Sequence, residues 1–109
     1  SNAFKKLCVD LGEDGTMLAL KKISPTRLIK NELFAKIAEA ESRGAEADEL
    51  RELLGRAASK RGIFEGDLEN GELEIGQIAS TIKEVKPVAQ IMHELITDFH
   101  TTQSKIQTL

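Results

Sequence analysis

The strongest constraint on this chain is the spacing of its apolar residues, which return every three or four positions over most of its length. Such spacing places side chains on one face of an α-helix and leaves the other face polar. Leu33, Phe34, Ile37 and Ala38 make one such stripe. Asn31 stands ahead of it as an N-cap, Glu32 sits at the positive end, and Gly44 is placed to close the helix. Leu50, Leu53, Leu54, Ala57 and Ala58 predict a second helix from about Ala47-Asp48, with Lys60 and Arg61 in its last turn and Gly62 beyond. Ile75, Ile78, Ala79, Ile82 and Val85 predict a third. Pro87 stops it and starts a fourth, striped by Val88, Ile91, Met92, Leu95, Ile96 and Phe99.

The first quarter of the chain is less regular. Phe4, Leu7, Cys8 and Leu11 fit one or two helical turns, ended by Gly12-Glu13-Asp14-Gly15. Thr16 to Leu20 reads as a short strand, and its unbroken apolar run suggests cover on both faces. Ser24-Pro25-Thr26 breaks the pattern, and Arg27 to Lys30 leads up to Asn31. Ile63 to Glu74 reads as an irregular acidic stretch with Gly66 and Gly71 as pivots. Beyond His100 the stripe fades, so residues 101–109 are expected to be a fraying polar tail. The predicted fold is mostly α within an α+β class, a small helical domain with one or two short strands. The domain spans residues 4–100. Ser1-Asn2-Ala3 has the form of a cleaved-tag remnant, and the native protein is expected to continue upstream.

Composition limits the function classes. The chain has 109 residues, 40% of them hydrophobic, and a net charge of −3. Neither a basic footprint nor a set of stacking aromatics is present, which argues against nucleic-acid binding. No apolar run approaches the ~20 residues of a membrane span. The single cysteine, Cys8, has no partner for an internal disulfide, which fits a cytoplasmic location. With four Phe and no Tyr or Trp, the core must be aliphatic and its stability modest.

No nucleophile–base–orienter set stands out. His93 and His100 lie on the last helix, where a stabilising role near its C-terminus outweighs metal ligation. Cys8 reads as a small buried hydrophobe. Glu65, Asp67, Glu69, Glu72 and Glu74 do not match a calcium-loop spacing and read as a solvated acidic loop. Arg27 and Lys30 could hold an anion, but a solvent-facing patch explains them better. Gly76-Gln77 could bring backbone close to a ligand, and a plain helix start explains them equally well. From the residues alone, the chain is a helical module without a self-contained active site.

Two stretches add a resemblance. Ser24-Pro25-Thr26-Arg27-Leu28-Ile29-Lys30-Asn31 resembles the Pro-x-Arg-x-hydrophobic-Lys/Arg-Asn segment of the nitronate monooxygenase (2-nitropropane dioxygenase) family, which includes the flavin-type enoyl-acyl-carrier-protein reductases. The segment from Phe64 to Ala79 is similar to that family's Glu-Gly-Asp…Gly…Gly-Gln pattern, carried here by Glu65-Gly66-Asp67, Gly71 and Gly76-Gln77. Ile82-Lys83-Glu84-Val85-Lys86-Pro87-Val88 is similar to its Lys-x-hydrophobic-x-Pro-hydrophobic stretch.

The resemblance implies a parent with a TIM-like barrel that binds FMN, of which this chain would be the C-terminal, lid-like domain. It implies that Gly76 and Gln77 are cofactor-binding in that parent, that no catalytic residue or metal ligand lies here, and that FMN is not held by this piece alone. Arg27 and Asn31 would serve domain structure. The implied partner is the parent barrel, and the apolar run from Met17 to Leu20 points to self-association without it. The substrate would be an alkyl nitronate or an enoyl thioester. The alternative is a free-standing helical interaction module.

Overall fold

Thr16 to Ala19 and Thr26 to Ile29 pair as the antiparallel strands β1 and β2, with Thr16 opposite Ile29 and Ala19 opposite Thr26. The computed structural model describes residues 1–109. Ahead of the strands runs α1 (Asn2–Asp10), and after them come α2 (Glu32–Ser42), α3 (Ala47–Leu54) and, at the end, α4 (Val88–Gln107). A wide π-type turn covers Lys60–Phe64 and a 3₁₀ turn covers Gln77–Thr81. The result is the small α+β domain expected, helix-rich with one two-stranded sheet.

Two aliphatic clusters hold it. The larger joins Ala19, Leu20 and Leu28 of the sheet region to Leu33, Phe34, Ile37 and Ala40 of α2 and to Ala45 and Leu50. The smaller joins Leu11, Ile29, Leu73 and Ala79, with Phe4, Leu7 and Cys8 of α1 packed against it. Leu28 and Ile29 are adjacent in β2 and so point to opposite faces, one into each cluster. That single strand therefore couples the two cores. Only 16 of the 109 residues are buried, so losing one of the fully buried leucines removes a large part of the apolar stabilisation, about 1.5–3 kcal/mol each.

Asn31 caps α2 as its residue type and position predict, its Oδ1 accepting from the Phe34 amide at 2.9 Å. The turn between the strands depends on Glu41, in the last turn of α2. Leu20 adopts φ 59°, an uncommon conformation for a side chain that size, while its side chain stays in the core. Its amide donates to Glu41 Oε1 at 2.9 Å, which anchors that conformation.

Three expectations are corrected. The second helix stops at Leu54 rather than near Lys60, because Gly55 takes φ 69° and turns its amide back to the Arg51 carbonyl. Arg61, placed by its sequence in that helix's last turn, instead reaches back to the C-terminal end of α3, donating to the carbonyls of Leu54 and Arg56. The third helix does not form beyond the short 3₁₀ turn. Glu74 bridges to Leu28, the Ile29 amide donates to the Leu73 carbonyl at 2.9 Å and the Ile75 amide to the Arg27 carbonyl at 3.1 Å. Residues 73–75 are thereby recruited as an extended rung along β2, and helix cannot start at Ile75. Finally, residues 101–107 continue α4 instead of fraying, since Thr101 to Gln107 contains no Gly or Pro and Lys105 suits the helix's negative end.

The unbroken apolar run at β1 is covered on one side only. Ala19 and Leu20 are buried, whereas Met17 and Leu18 are exposed. The chain is elongated, with a radius of gyration of 17.1 Å against about 13 Å for a compact chain of this length. The reason is α4, which runs roughly 30 Å and touches the body only near its start.

Candidate functional site

The acidic stretch after the π turn is folded back on itself by two glycines. A Cβ on Gly71 would lie 2.5 Å from the Gly62 nitrogen and 2.6 Å from the Asp67 carbonyl, and one on Gly62 would lie 2.6 Å from a methyl of Leu73. Backbone crosses backbone here, which only glycine permits. Asn31 ties the crossing to α2: its Nδ2 donates to the carbonyls of Leu68 at 3.0 Å and Gly71 at 2.9 Å. One side chain thus caps a helix and fastens a loop, using every hydrogen-bonding direction but one.

This fastening fixes the path of residues 72–75. Leu73 goes into the smaller core, and Glu72 and Glu74, flanking it in extended backbone, emerge on the same side. Ser59 Oγ meets Glu72 Oε2 at 2.9 Å and Glu74 Oε1 at 2.7 Å. A hydroxyl has one proton to give, so satisfying both oxygens needs a second proton on the carboxylate pair. Burial pushes the Glu72 carboxyl up, the Ser59 hydrogen bond pulls it partly back, and the Glu74 charge raises it further. Read by spacing alone, these acids make one solvated loop, and the cluster is missed. The available signal is the alternation Glu72-Leu73-Glu74, which marks extended rather than irregular backbone.

Gly76 and Gln77 come next, at the surface. Gly76 has φ −78°, an ordinary value for any residue, and nothing lies within 4 Å of where its Cβ would be. Neither its conformation nor its packing within this chain calls for glycine. The 3₁₀ turn it opens is pinned underneath by buried Ala79, packed with Leu11, Ile29 and Leu73, so Gln77 and Ile78 face outward. Neither Gly76 nor Gln77 lines a cavity of this chain. They form one open wall without an opposite one. No set of cationic side chains gathers beside them to hold a phosphate, so the residues present do not make a complete FMN site.

The other candidates are dispersed. Arg27 Nη1 donates across the sheet to Thr16 Oγ1 at 3.0 Å, a structural contact, and Lys30 is exposed. Cys8 is half-buried against the smaller core, and burial pushes its thiol up, away from the reactive thiolate. His100 packs edge-on against Phe99 with ring centres 5.5 Å apart. His, Cys, Asp and Glu side chains nowhere converge in threes on a common point that could take a metal ion. Lys86 sits 2.7 Å from Glu94 and 3.3 Å from Glu84, clasping the 82–87 segment to the first turns of α4. The paired charges raise the Lys86 ammonium and lower the Glu94 carboxyl. No helix is long and apolar enough to cross a membrane.

No protein-family profile and no curated protein matches the chain. Solved structures do. FabK from Thermotoga maritima is similar over 98% of this chain, with 30% identity and a TM-score of 0.83, and the match takes in 34% of that chain. A methionine-to-alanine mutant of the same FabK is similar at 27% identity and a TM-score of 0.72, over 98% of this chain and 31% of that one. The chain thus spans about a third of the length of the FabK structures it matches.

Proposed function

We propose that this chain is the C-terminal, lid-like domain of an FMN-dependent oxidoreductase of the flavin-type enoyl-acyl-carrier-protein reductase kind, and that it is not catalytic alone. The observation that carries the reading is the FabK match: it runs through nearly the whole chain yet takes in only a third of FabK, a flavin-type enoyl-acyl-carrier-protein reductase. The match favours that branch of the resemblance over the nitronate monooxygenases. The flavin, when bound in the parent barrel, supplies the redox chemistry. This chain supplies a wall. Gly76 and Gln77 are assigned to the face turned toward the cofactor and substrate pocket, because Gly76 is a glycine that nothing inside the chain requires. The crossing of Gly62 and Gly71, fixed by Asn31, holds that face in position.

The experiment compares the longer protein with Gly76→Leu and Gln77→Ala variants of it. The reading expects reduction of an enoyl thioester to fall at least about tenfold in Gly76→Leu, with the flavin spectrum perturbed and the melting temperature nearly unchanged. Wild-type turnover in both variants would remove these two residues from the pocket. The competing reading, a free-standing helical interaction module, draws on the exposed stripe of α4. It is favoured if the longer protein neither carries nor takes up flavin.

A further inference from the structure

The fourth helix carries a pattern that neither core uses. Met92, Leu95, Phe99, Thr102, Ile106 and Leu109 succeed one another in steps of three and four, the seam of a coiled coil running to the end of the chain. The seam is bare: Leu95 is 58% exposed, Phe99 63% and Ile106 64%. A helix of 20 residues with an uncovered seam of this kind demands a partner.

We propose that the partner is a second copy of this chain, and that two α4 helices pair antiparallel with Phe99 of each opposite Thr102 of the other. Three independent features select this arrangement. The first is shape. Phe99, Thr102, Gln103 and Ile106 enclose a concave site of about 240 Å³ on the helix surface, the four-residue hole into which a coiled-coil knob fits. The antiparallel register sets the partner's Phe99 over that hole, so the one aromatic residue of the seam meets the one small polar residue. Leu95 then faces Ile106, and Met92 faces Leu109. A parallel pair in register would stack Phe99 on Phe99 and leave Thr102 facing Thr102 across an underfilled layer.

The second feature is charge. In the same register, Asp98 flanks the seam opposite Lys105 of the other helix, and symmetry makes the pair twice. Both side chains are exposed, and neither forms an ion pair within its own chain. In a parallel pair Asp98 would meet Gln103 instead. The third is topology. Each body joins α4 at its N-terminal end, so antiparallel pairing carries the two bodies to opposite ends of the bundle, where they do not compete for space. The pairing does not depend on the flavin reading and is tested without flavin.

Sedimentation velocity of the 109-residue chain across a concentration series is the test. A monomer–dimer equilibrium is expected, abolished by Leu95→Glu while the far-ultraviolet circular dichroism keeps its helical shape, because Leu95 supports no contact in the body. Asp98→Lys and Lys105→Glu should each weaken the dimer about threefold to tenfold at low salt, and the double variant should return it to near wild type. A monomer at every concentration overturns the proposal. So does a dimer that survives Leu95→Glu, which places the interface elsewhere, for example on Met17 and Leu18. A dimer lost in Leu95→Glu but indifferent to both charge reversals overturns the antiparallel register.

Discussion

The Asn31 side chain donates to the carbonyl of Gly71, 40 residues away, at 2.9 Å while its oxygen caps α2. These two roles make opposite demands on a substitution. Aspartate is as good an N-cap as asparagine, but it has no N–H to give and would aim a carboxylate at the carbonyls of Leu68 and Gly71. Asn31→Asp is therefore expected to cost about 2–3 kcal/mol, at least as much as Asn31→Ala. Urea unfolding of the two variants checks this. If Asn31→Asp matches wild type, the loop fastening contributes nothing.

Gly71 and Gly76 give a matched pair of glycine tests. Gly71→Ala drives a Cβ into the backbone of Gly62, and a loss of about 1–3 kcal/mol is expected. Gly76→Ala meets open space at φ −78° and should leave this chain unchanged or stabilise it by up to about 1 kcal/mol through the unfolded state. Melting temperatures of the two variants, measured side by side, should show a clear drop only for Gly71→Ala.

Glu41 is expected to hold the buried turn at Leu20. In Glu41→Ala the Leu20 amide loses its carboxylate acceptor while the residue must still keep φ 59°. A loss of about 1–2 kcal/mol is expected, and amide hydrogen exchange at Leu20 should rise well above that of the neighbouring strand.

The Ser59–Glu72–Glu74 cluster makes stability depend on pH with a definite sign. The folded chain holds the Glu72 proton to higher pH than the unfolded chain does. Between the ordinary carboxylate range and that raised value, the folded state binds more protons. Stability from this group is thus fully present below the ordinary range and is lost as pH rises through the raised value. Glu72→Gln should flatten that loss and be the more stable form at neutral pH. Denaturation midpoints from mildly acidic to neutral pH test it, and an unchanged slope in the variant would rule out Glu72 as the source.

How much can be read from the sequence depends on the range of the interactions. The Asn31 cap, the stripe of Leu33, Phe34 and Ile37, and the restart at Pro87 are local signals, and each appears where its spacing places it. The third helix fails because Ile75 has a better use: its amide completes a rung on β2 with Arg27, a distant partner that periodicity does not register. The second helix runs short because Gly55, a residue that mid-helix positions tolerate, serves here as a stop. At the site, Gly76 and Gln77 are marked out by resemblance, and their surface position is set by Ala79 beneath them. The Ser59–Glu72–Glu74 cluster is invisible in the sequence because it forms only when the Gly62–Gly71 crossing brings the π turn against the extended rung.

The visible absorbance spectrum of the purified longer protein, taken beside this chain, tests the central claim most directly. Flavin bands in the longer protein and none in this chain are the predicted result. A colourless longer protein that also fails to take up added FMN would contradict the assignment to a flavin enzyme.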